Sequence, residues 1–363
     1  MEAHFHIPER YFLSHSVGCQ PKIVEQALKD NYLGPWASGR NWQDWMPVLD
    51  EFRQGMADRL GVTSDTICPQ VTVSSALTKI LHSQKPTAKR NRILLSRQAF
   101  PTIGFVVKQA ERAGYELRFI EGDVTDPQSW ADGLDETVAF VHATHALSNS
   151  SHILPIKEIC GVAKTVGAQS IIDVAQSIGV VSVRPLEWGA DFIIGTGVKF
   201  LCFGPGACFL YVAKENIALC EPIDVGWFSH EKPFEMEIEN FRFAKDAMRF
   251  FGGTPSPAPF IAATAVMKVW NEIGFENIQN LIEARLDILC AAAPENRLIS
   301  PRDAERRGGT CVVNPIERDV VRVRLEAENI HYDERVEGFR FSVHGYTPLA
   351  DCEALAAIFR ASL

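Results

Sequence analysis

The chain has 363 residues, of which 46% are hydrophobic and 22% are charged, and its formal net charge is −9. This length suffices for two domains with a large core, and the composition is typical of a soluble globular enzyme. The negative charge disfavours nucleic acid or an anionic membrane surface as the main partner.

The first residues, MEAHFHIPERYFL, lack the basic and apolar regions of a secretory signal. No apolar run in the sequence approaches the ~18 residues that a membrane span requires. The nine cysteines are scattered without a Cys-x-x-Cys pair. We therefore expect a cytoplasmic protein whose cysteines are reduced thiols, mostly in the core.

In the N-terminal region, helical spacing of apolar residues predicts helices over Lys22–Asn31 and Leu49–Leu60. The stretch between them contains glycines and is predicted to be a loop that holds Trp36, Trp42 and Trp45. Packing is the ordinary role of a tryptophan. A loop with several of them also suits a lid or a subunit contact.

From Cys68 onward, short apolar runs alternate with helical stretches. This alternation predicts an α/β fold with a mostly parallel sheet. The last two strands flank Gly204-Pro205-Gly206 and are close enough to form a hairpin. The predicted strands are Val71–Val73, Ile93–Leu95, Leu117–Ile120, Val138–Val141, Ser170–Ile172, Phe192–Ile194 and Cys208–Val212. The predicted helices between them are Ala76–His82, Ile103–Ala113 and Ile156–Val166.

After Pro222 the sequence becomes aromatic and loop-like, and a different pattern of elements follows. We predict an N-terminal segment over 1–20, a large α/β domain over 21–255 and a smaller α+β domain over 256–363. The predicted helices of the last domain are Pro259–Ile273, Ile278–Ala293 and Leu349–Leu363. Its predicted strands are Gly309–Val313, Val320–Leu325 and Phe339–Val343.

Asp173 and Lys199 each follow a short apolar run of this predicted sheet. Burying an ammonium group costs free energy unless it is paired or neutralised, whereas an amine that forms a Schiff base suits such a place. The carboxyl ends of neighbouring parallel strands face one crevice. Pyridoxal 5'-phosphate would use both residues there, the lysine at its aldehyde and the acid at its ring nitrogen. A helix-capping aspartate and a surface lysine are the alternative.

Three further features could complete such a site, and each has an ordinary alternative. The segment Ser74–Thr78 opens a predicted helix and could bind phosphate there, or it could simply cap the helix. Phe100 could stack on a pyridine ring or belong to the core. Arg340 could bind a carboxylate through two hydrogen bonds, or it could be a solvated strand residue.

The order of these motifs resembles the class V branch of the fold-type I pyridoxal-phosphate enzymes, and within it kynureninase. The resemblance spans nearly the whole chain. It implies a mostly parallel, seven-stranded sheet in the large domain, an amino acid as substrate and a homodimer with active sites at the interface. The class-level motifs are IIDVAQSIG, GADFIIGTGVKFLCFGPGACFLYV and RFSVHGYTPLADCEAL. The kynureninase-level motifs are DVGWFSHEKPFEM and FRFAKDAMRFFGGTP, with NYLGPWASGRNW, SSALTKILH and QAFPT.

The resemblance also implies roles for the cofactor-binding residues. Lys199 would carry the cofactor, Asp173 would hold its ring nitrogen, and Phe100 would stack on its ring. Leu77 and Thr78 would receive the phosphate.

The remaining carried-over positions concern the interface and the substrate. Trp227 and Thr254 would reach the phosphate bound by the partner subunit. Arg340 would bind the substrate carboxylate, with His15 and Ser16 near the substrate. The N-terminal segment is therefore expected to pack near the active site.

Three positions depart from the kynureninase pattern. Val198 replaces the tyrosine that precedes the lysine, Ile103 replaces an aspartate near the cofactor, and Gln176 replaces a histidine. Glutamine at this last position is usual in the cysteine-desulfurase and epimerase branches, where it binds the phenolic oxygen of the cofactor. The catalytic loop cysteine of the desulfurases has no counterpart, because Cys352 falls inside the predicted closing helix.

The resemblance implies hydrolytic cleavage of the Cβ–Cγ bond of kynurenine or a related aromatic amino acid. The departures leave open a class V aminotransferase, a β-lyase or another tailoring enzyme for an aromatic or sulfur-containing amino acid. A non-catalytic binding protein would be expected to lack Lys199 or Asp173, and both are present.

Overall fold

The computed structural model describes residues 1–363 and contains strands β1 to β12 and helices α1 to α13. The strands are β1 Phe5–His6, β2 Gln20–Pro21, β3 Ile67–Gln70, β4 Arg92–Leu95, β5 Glu116–Phe119, β6 Val138–Thr144, β7 Gln169–Asp173, β8 Phe192–Thr196, β9 Cys208–Val212, β10 Thr310–Val313, β11 Asp333–Glu334 and β12 Phe339–Ser342. The helices are α1 Ile23–Leu28, α2 Gly34–Ser38, α3 Asn41–Leu60, α4 Val73–Leu81, α5 Pro101–Ala110, α6 Pro127–Gly133, α7 Ile156–Val166, α8 Pro185–Trp188, α9 Lys214–Ile217, α10 Pro257–Ile273, α11 Phe275–Ala292, α12 Arg318–Ala327 and α13 Leu349–Ser362.

The largest sheet of the chain has seven strands in the order β3-β9-β8-β7-β6-β4-β5. The pairs from β8 to β5 are parallel, which confirms the predicted mostly parallel sheet. Strand β9 is antiparallel to both β8 and β3. The predicted hairpin around Gly204-Pro205-Gly206 is therefore confirmed as β8–β9.

Both faces of this sheet are covered, as expected for strands whose side chains are apolar on both sides. Strands β7, β8 and β9 are buried throughout except for the first residue of β7. One face packs with α4 and α5, through residues such as Leu77 and Val107. The other face packs with α7 and with α3, which in turn contacts α10. The parallel strands thus end at one common edge of a sheet whose central strands are buried.

The C-terminal part holds a second, three-stranded antiparallel sheet in the order β10-β12-β11. The N-terminal segment joins it to the main sheet, since Leu13 pairs with Ser342 of β12 and the Gly18 amide donates to the Val198 carbonyl at 2.8 Å. A Cβ at Gly18 would lie 2.2 Å from the Lys199 carbonyl oxygen, so only glycine fits this approach. The domain boundaries near residues 20 and 255 stay a prediction.

Three predicted elements differ from the structure. The run Val71–Val73 is not a strand: β3 ends at Gln70, and Thr72 caps α4 by accepting from the Ser75 amide at 3.0 Å. Val320–Leu325 is helical within α12, with Val321 and Leu325 buried four residues apart.

The third difference is the predicted tryptophan loop, because Trp36 lies in α2 and Trp42 and Trp45 lie in the first turns of α3. Pro47 is tolerated inside α3 near its start, although an internal proline usually ends a helix.

The remaining expectations concern cysteines and membranes. All nine cysteines are free and buried. None of the helices has the length and apolar character to cross a membrane.

Candidate active site

A cavity of about 300 Å³ opens at the carboxyl ends of β7 and β8, beside the first turns of α4 and α5. Crevices outside the carboxyl ends of strands are the usual binding sites of open α/β sheets. Its walls include the predicted residues Phe100, Asp173, Gln176 and Lys199. Four residues that are far apart in the sequence therefore meet at one cavity.

Lys199 follows β8 after a short turn and faces this cavity. Its Nζ lies 5.6 Å from the centroid of the Phe100 ring. Burial lowers the pKa of the Lys199 amine, and the charge of Asp173 opposes that shift only in part. The neutral amine is the nucleophilic form of lysine, so this position favours an amine that reacts with a carbonyl group.

Asp173 is the last residue of β7 and is 4% exposed. Its Oδ1 accepts a hydrogen bond from the Ala175 amide at 2.8 Å, which fixes the carboxylate at the turn after the strand. A carboxylate held in this way remains available for one charged partner from the cavity. A protonated pyridine nitrogen is a partner of that kind.

Two buried polar groups on the cavity wall have no partner within the chain. They are Gln176 Oε1 and Thr144 Oγ1. The Gln176 amide is oriented by its Nε2, which donates to the His15 carbonyl at 3.2 Å. Buried polar atoms are normally hydrogen-bonded, so these two atoms fit a polar ring ligand. The residues present therefore fit pyridoxal phosphate.

The phosphate end of such a ligand has a clear place at the first turn of α4. Thr72, Val73 and Ser74 line the cavity there, and the first amides of a helix have no carbonyl partner within it. The dipole of the helix also favours an anion at this end. Cys208 of β9 lines the same end of the cavity, and burial raises the pKa of its thiol.

Leu77 and Thr78 do not reach this place, which corrects the prediction for the phosphate. Leu77 is fully buried in the core, and Thr78 donates its hydroxyl to the Ser74 carbonyl at 2.9 Å. The resemblance had implied these two positions, but α4 begins at Val73, so Leu77 and Thr78 lie in its second turn. The first turn of the helix therefore lies near Ser74.

Arg340 lies behind the rim of the cavity, and both of its terminal nitrogens have partners within the chain, whereas its buried Nε has none. Its Nη1 donates to the carbonyl of Ser148, a cavity residue, at 2.7 Å, and its Nη2 donates to Asp333. The Arg340 side chain is 4% exposed. The structure thus brings Arg340 to the site but pairs it with an internal carboxylate.

His15 belongs to the same cluster, whereas Ser16 is exposed and does not line the cavity. The ring of His15 contacts Ser342 Oγ at 2.7 Å through Nδ1 and Asp333 at 3.4 Å through Nε2. Burial lowers the pKa of His15 to about 4, so its ring is neutral at pH 7. Asp333 was not among the predicted residues, and its only sequence signal is its place seven residues before Arg340 in a turn-like stretch.

Trp227 and Thr254 lie together but apart from the cavity of their own chain. Trp227 Nε1 donates to Thr254 Oγ1 at 3.2 Å. Trp42 packs edge-on against Trp227 at 5.6 Å. The tryptophans of α3 and this pair therefore form one aromatic cluster on the surface.

The departures from the kynureninase pattern also lie at the cavity. Val198 and Ile103 both line its wall. The kynureninase pattern has a tyrosine and an aspartate at these two positions, and in this chain both side chains are apolar.

The fold and the lysine-aspartate cavity define a fold-type I pyridoxal-phosphate enzyme of the α/β class. The family model described as "Aminotransferase class-V" matches residues 21–363. The chain therefore belongs to the class V aminotransferase family, whose cofactor is pyridoxal phosphate.

Curated relatives include an uncharacterized aminotransferase, YcbU of Bacillus subtilis, which is 26% identical over 79% of this chain and 78% of the relative. A kynureninase of Deinococcus radiodurans is 30% identical over 72% of this chain and 66% of the relative. A kynureninase of Burkholderia mallei is 26% identical over 93% of this chain and 84% of the relative.

Among solved structures, the apo cysteine desulfurase of Thermococcus onnurineus NA1 superimposes with a TM-score of 0.84 at 21% identity. That match covers 97% of this chain and 94% of the desulfurase. The cystine C–S lyase C-DES also has a TM-score of 0.84 at 21% identity, over 97% of each chain. These likenesses concern the fold.

Proposed function

We propose that this protein is a kynureninase-like hydrolase, which cleaves the Cβ–Cγ bond of kynurenine or a related aromatic amino acid. The observation that carries the proposal is the meeting of Asp173, Lys199 and Phe100 at one cavity beside the first turn of α4. Similarity to kynureninases, one of them over 93% of this chain, supports the choice of reaction.

When bound, pyridoxal phosphate supplies an aldehyde for the substrate amine and a ring that withdraws electrons from the substrate α-carbon. Asp173 would keep the ring nitrogen protonated through its free carboxylate oxygen. Phe100 would cover one face of the ring, and the amides of Val73 and Ser74 would bind the phosphate. These contacts would fix the ring in the cavity.

Lys199 would act twice. Its amine would first hold the cofactor and would then, once the substrate amine replaces it, take the proton from the substrate α-carbon. The lowered pKa of this amine suits proton transfer near neutral pH. Water would then attack the γ-carbonyl carbon, and the Cβ–Cγ bond would break with its electron pair on Cβ. The aromatic acid would leave with the hydroxyl of the water, Cβ would take up the proton of that water, and Lys199 would return a proton to the α-carbon, which gives alanine.

Gln176 would bind the cofactor hydroxyl. Its orphaned Oε1 can accept from a protonated hydroxyl, and the second N–H of its Nε2 can donate to an ionised one. Arg340 would bind the substrate carboxylate, with His15 packed behind it.

The protein would act as a homodimer. Trp227 and Thr254 are hydrogen-bonded to each other and lie outside the cavity of their own chain. Such a pair could complete the phosphate site of a second copy. The exposed side chains of Trp36, Phe234 and Ile238 near this cluster would be covered by the same contact.

A second candidate is a class V aminotransferase, a β-lyase or another tailoring enzyme for an aromatic or sulfur-containing amino acid. Val198 and Ile103 favour it, because they place apolar side chains on the cavity wall where an acid would otherwise assist hydration of the γ-carbonyl. Similarity to the aminotransferase YcbU agrees with this alternative.

The test is incubation of the holoenzyme with L-kynurenine while anthranilate and alanine are measured. The proposal predicts equal amounts of both products. Formation of a keto acid with transfer of the amino group to a second keto acid would identify an aminotransferase. Bound cofactor without any anthranilate would refute the hydrolase.

A further inference from the structure

Arg340 has two strong partners inside the chain, and each of its two terminal nitrogens donates to one of them. Nη1 donates to the Ser148 carbonyl and Nη2 donates to Asp333. Asp333 stands directly opposite Arg340 in the register of β11 and β12. The guanidinium is consequently neutralised before any substrate arrives.

Asp333 is less firmly held than Arg340. It belongs to a strand of two residues at the edge of the small sheet, and its side chain is 25% exposed against 4% for Arg340. It also has a second cationic neighbour, since the Arg335 Nε lies 3.4 Å from its Oδ2. The Arg335 side chain is 47% exposed. Asp333 can therefore leave one guanidinium while keeping the other.

We propose that Asp333 is a built-in competitor for the substrate carboxylate. It holds Arg340 in the unliganded chain and passes to Arg335 when a carboxylate ligand takes its place. This inference rests on the proposed role of Arg340 in binding the substrate carboxylate, and it makes Asp333 and Arg335 determinants of how strongly that carboxylate is preferred.

The electrostatics give the two residues opposite effects. A carboxylate that approaches Arg340 meets the negative charge of Asp333, so removing that charge strengthens carboxylate binding. Removing the charge of Arg335 leaves Asp333 with Arg340 as its main cationic partner, so carboxylate binding weakens. His15, the third neighbour of Asp333, is neutral at pH 7 and does not change the direction of either effect on carboxylate binding.

The experiment compares L-alanine with L-alaninamide, two amines that differ in the carboxylate. Each ligand is titrated into the holoenzyme while the cofactor absorbance is followed, and the dissociation constants are compared as a ratio, amide over acid. General damage to the protein shifts both constants, whereas the proposed effect shifts their ratio.

Asp333→Asn should raise this ratio by roughly tenfold, because a charged hydrogen-bond competitor becomes neutral while its shape is kept. Arg335→Gln should lower it by roughly threefold, as befits an exposed ion pair. Asp319→Asn is the matched control, since it removes a carboxylate that pairs with Arg322 on the exposed side of α12. That variant should leave the ratio unchanged.

Arg340→Gln separates this inference from the function on which it rests. If Arg340→Gln leaves the ratio unchanged, Arg340 does not bind the carboxylate and its proposed role fails. If Arg340→Gln lowers the ratio but Asp333→Asn leaves it unchanged or lowers it, the role of Arg340 stands and competition by Asp333 is overturned.

Discussion

Two groups of polar side chains adjoin the same cavity, and they are built in opposite ways. Lys199 and Gln176 hold reactive or hydrogen-bonding atoms that have no ion-pair or hydrogen-bond partner within the chain. Arg340 and His15 both contact Asp333, and of the Arg340 nitrogens only the buried Nε has no partner. The first group, the incomplete one, has no ion-pair or hydrogen-bond partner for these atoms, whereas in the second, the complete one, the charges of Arg340 and Asp333 are paired.

This difference indicates what each group does. Buried polar atoms without partners cost stability, so the first group is retained for a ligand that stays bound. The second group stabilises the chain without a ligand. A ligand that comes and goes with each turnover can be exchanged there without leaving a buried charge unpaired.

Lys199→Ala gives the largest expected effect on activity. We expect product formation to fall by roughly 10³-fold or more, because the variant lacks the amine that we propose to hold the cofactor and to accept the substrate proton. Product release from the holoenzyme and the variant is measured at saturating cofactor. Lys199→Arg is the control that keeps the positive charge, and it should be as inactive as Lys199→Ala. Activity in either variant would show that Lys199 does not take part in the reaction.

A second prediction concerns the corrected phosphate site. Ser74→Asp should weaken cofactor binding by roughly 10- to 100-fold, since a carboxylate there repels the phosphate, yet it should maintain or raise the melting temperature of the apo-protein. Thr78→Val is the matched control and should change the cofactor dissociation constant by less than about twofold. Equal losses in both variants would restore the original prediction for Thr78. Fluorescence titration with pyridoxal phosphate supplies the constants.

The two groups should also differ in their effect on the stability of the apo-protein. Arg340→Gln should lower the free energy of unfolding by about 2 kcal/mol, because it leaves Asp333 without its buried partner. Lys199→Ala should leave it unchanged or raise it, since a costly buried amine is removed. Urea titrations of both variants measure the difference. A reversed order would contradict the division into an incomplete and a complete group.

The smallest effect concerns pH. The pKa of His15 is lowered to about 4 in the folded chain, whereas an unfolded histidine titrates near ~6.5. Between these values the unfolded state binds a proton that the folded state does not. The free energy of unfolding should therefore fall as the pH drops from about 6.5 towards 4. At about pH 5.5 the protonation of His15 in the unfolded state should account for a loss of about 1 kcal/mol.

Thermal melts of the wild type and His15→Asn across this range test the point. The slope of melting temperature against pH should be shallower in the variant, whatever its stability at pH 7. Buried His145 and His344 also have pKa values lowered to about 4 and will keep part of the slope. Parallel curves for the wild type and the variant would show that His15 does not contribute to the pH dependence of stability.

The sequence predicted the incomplete group better than the complete one, for a physical reason. Gln176 and Lys199 each follow a strand with a strong apolar pattern, β7 and β8, so their meeting follows from the rule for parallel sheets. Asp333 lies in a strand of two residues with no periodicity, and its pairing with Arg340 depends on the register of a small sheet. Such a register cannot be inferred from so short a pattern.

The misplaced elements have equally local causes. Val71–Val73 and Val320–Leu325 are rich in β-branched residues, which favour strands. The cap at Thr72 and the burial of Val321 and Leu325 on one helical face outweigh that preference. The start of α4 at Val73 also places Leu77 and Thr78, the positions implied by the resemblance, one turn beyond the cavity.

The central claim is that Lys199 holds the cofactor. Reduction of the holoenzyme with borohydride fixes the cofactor covalently to the amine that carries it, and peptide mass spectrometry then locates that amine. The account predicts the added mass on the peptide that contains Lys199. Added mass on Lys79, which is 3% exposed and donates to the Phe251 carbonyl, or on no lysine at all, would contradict it.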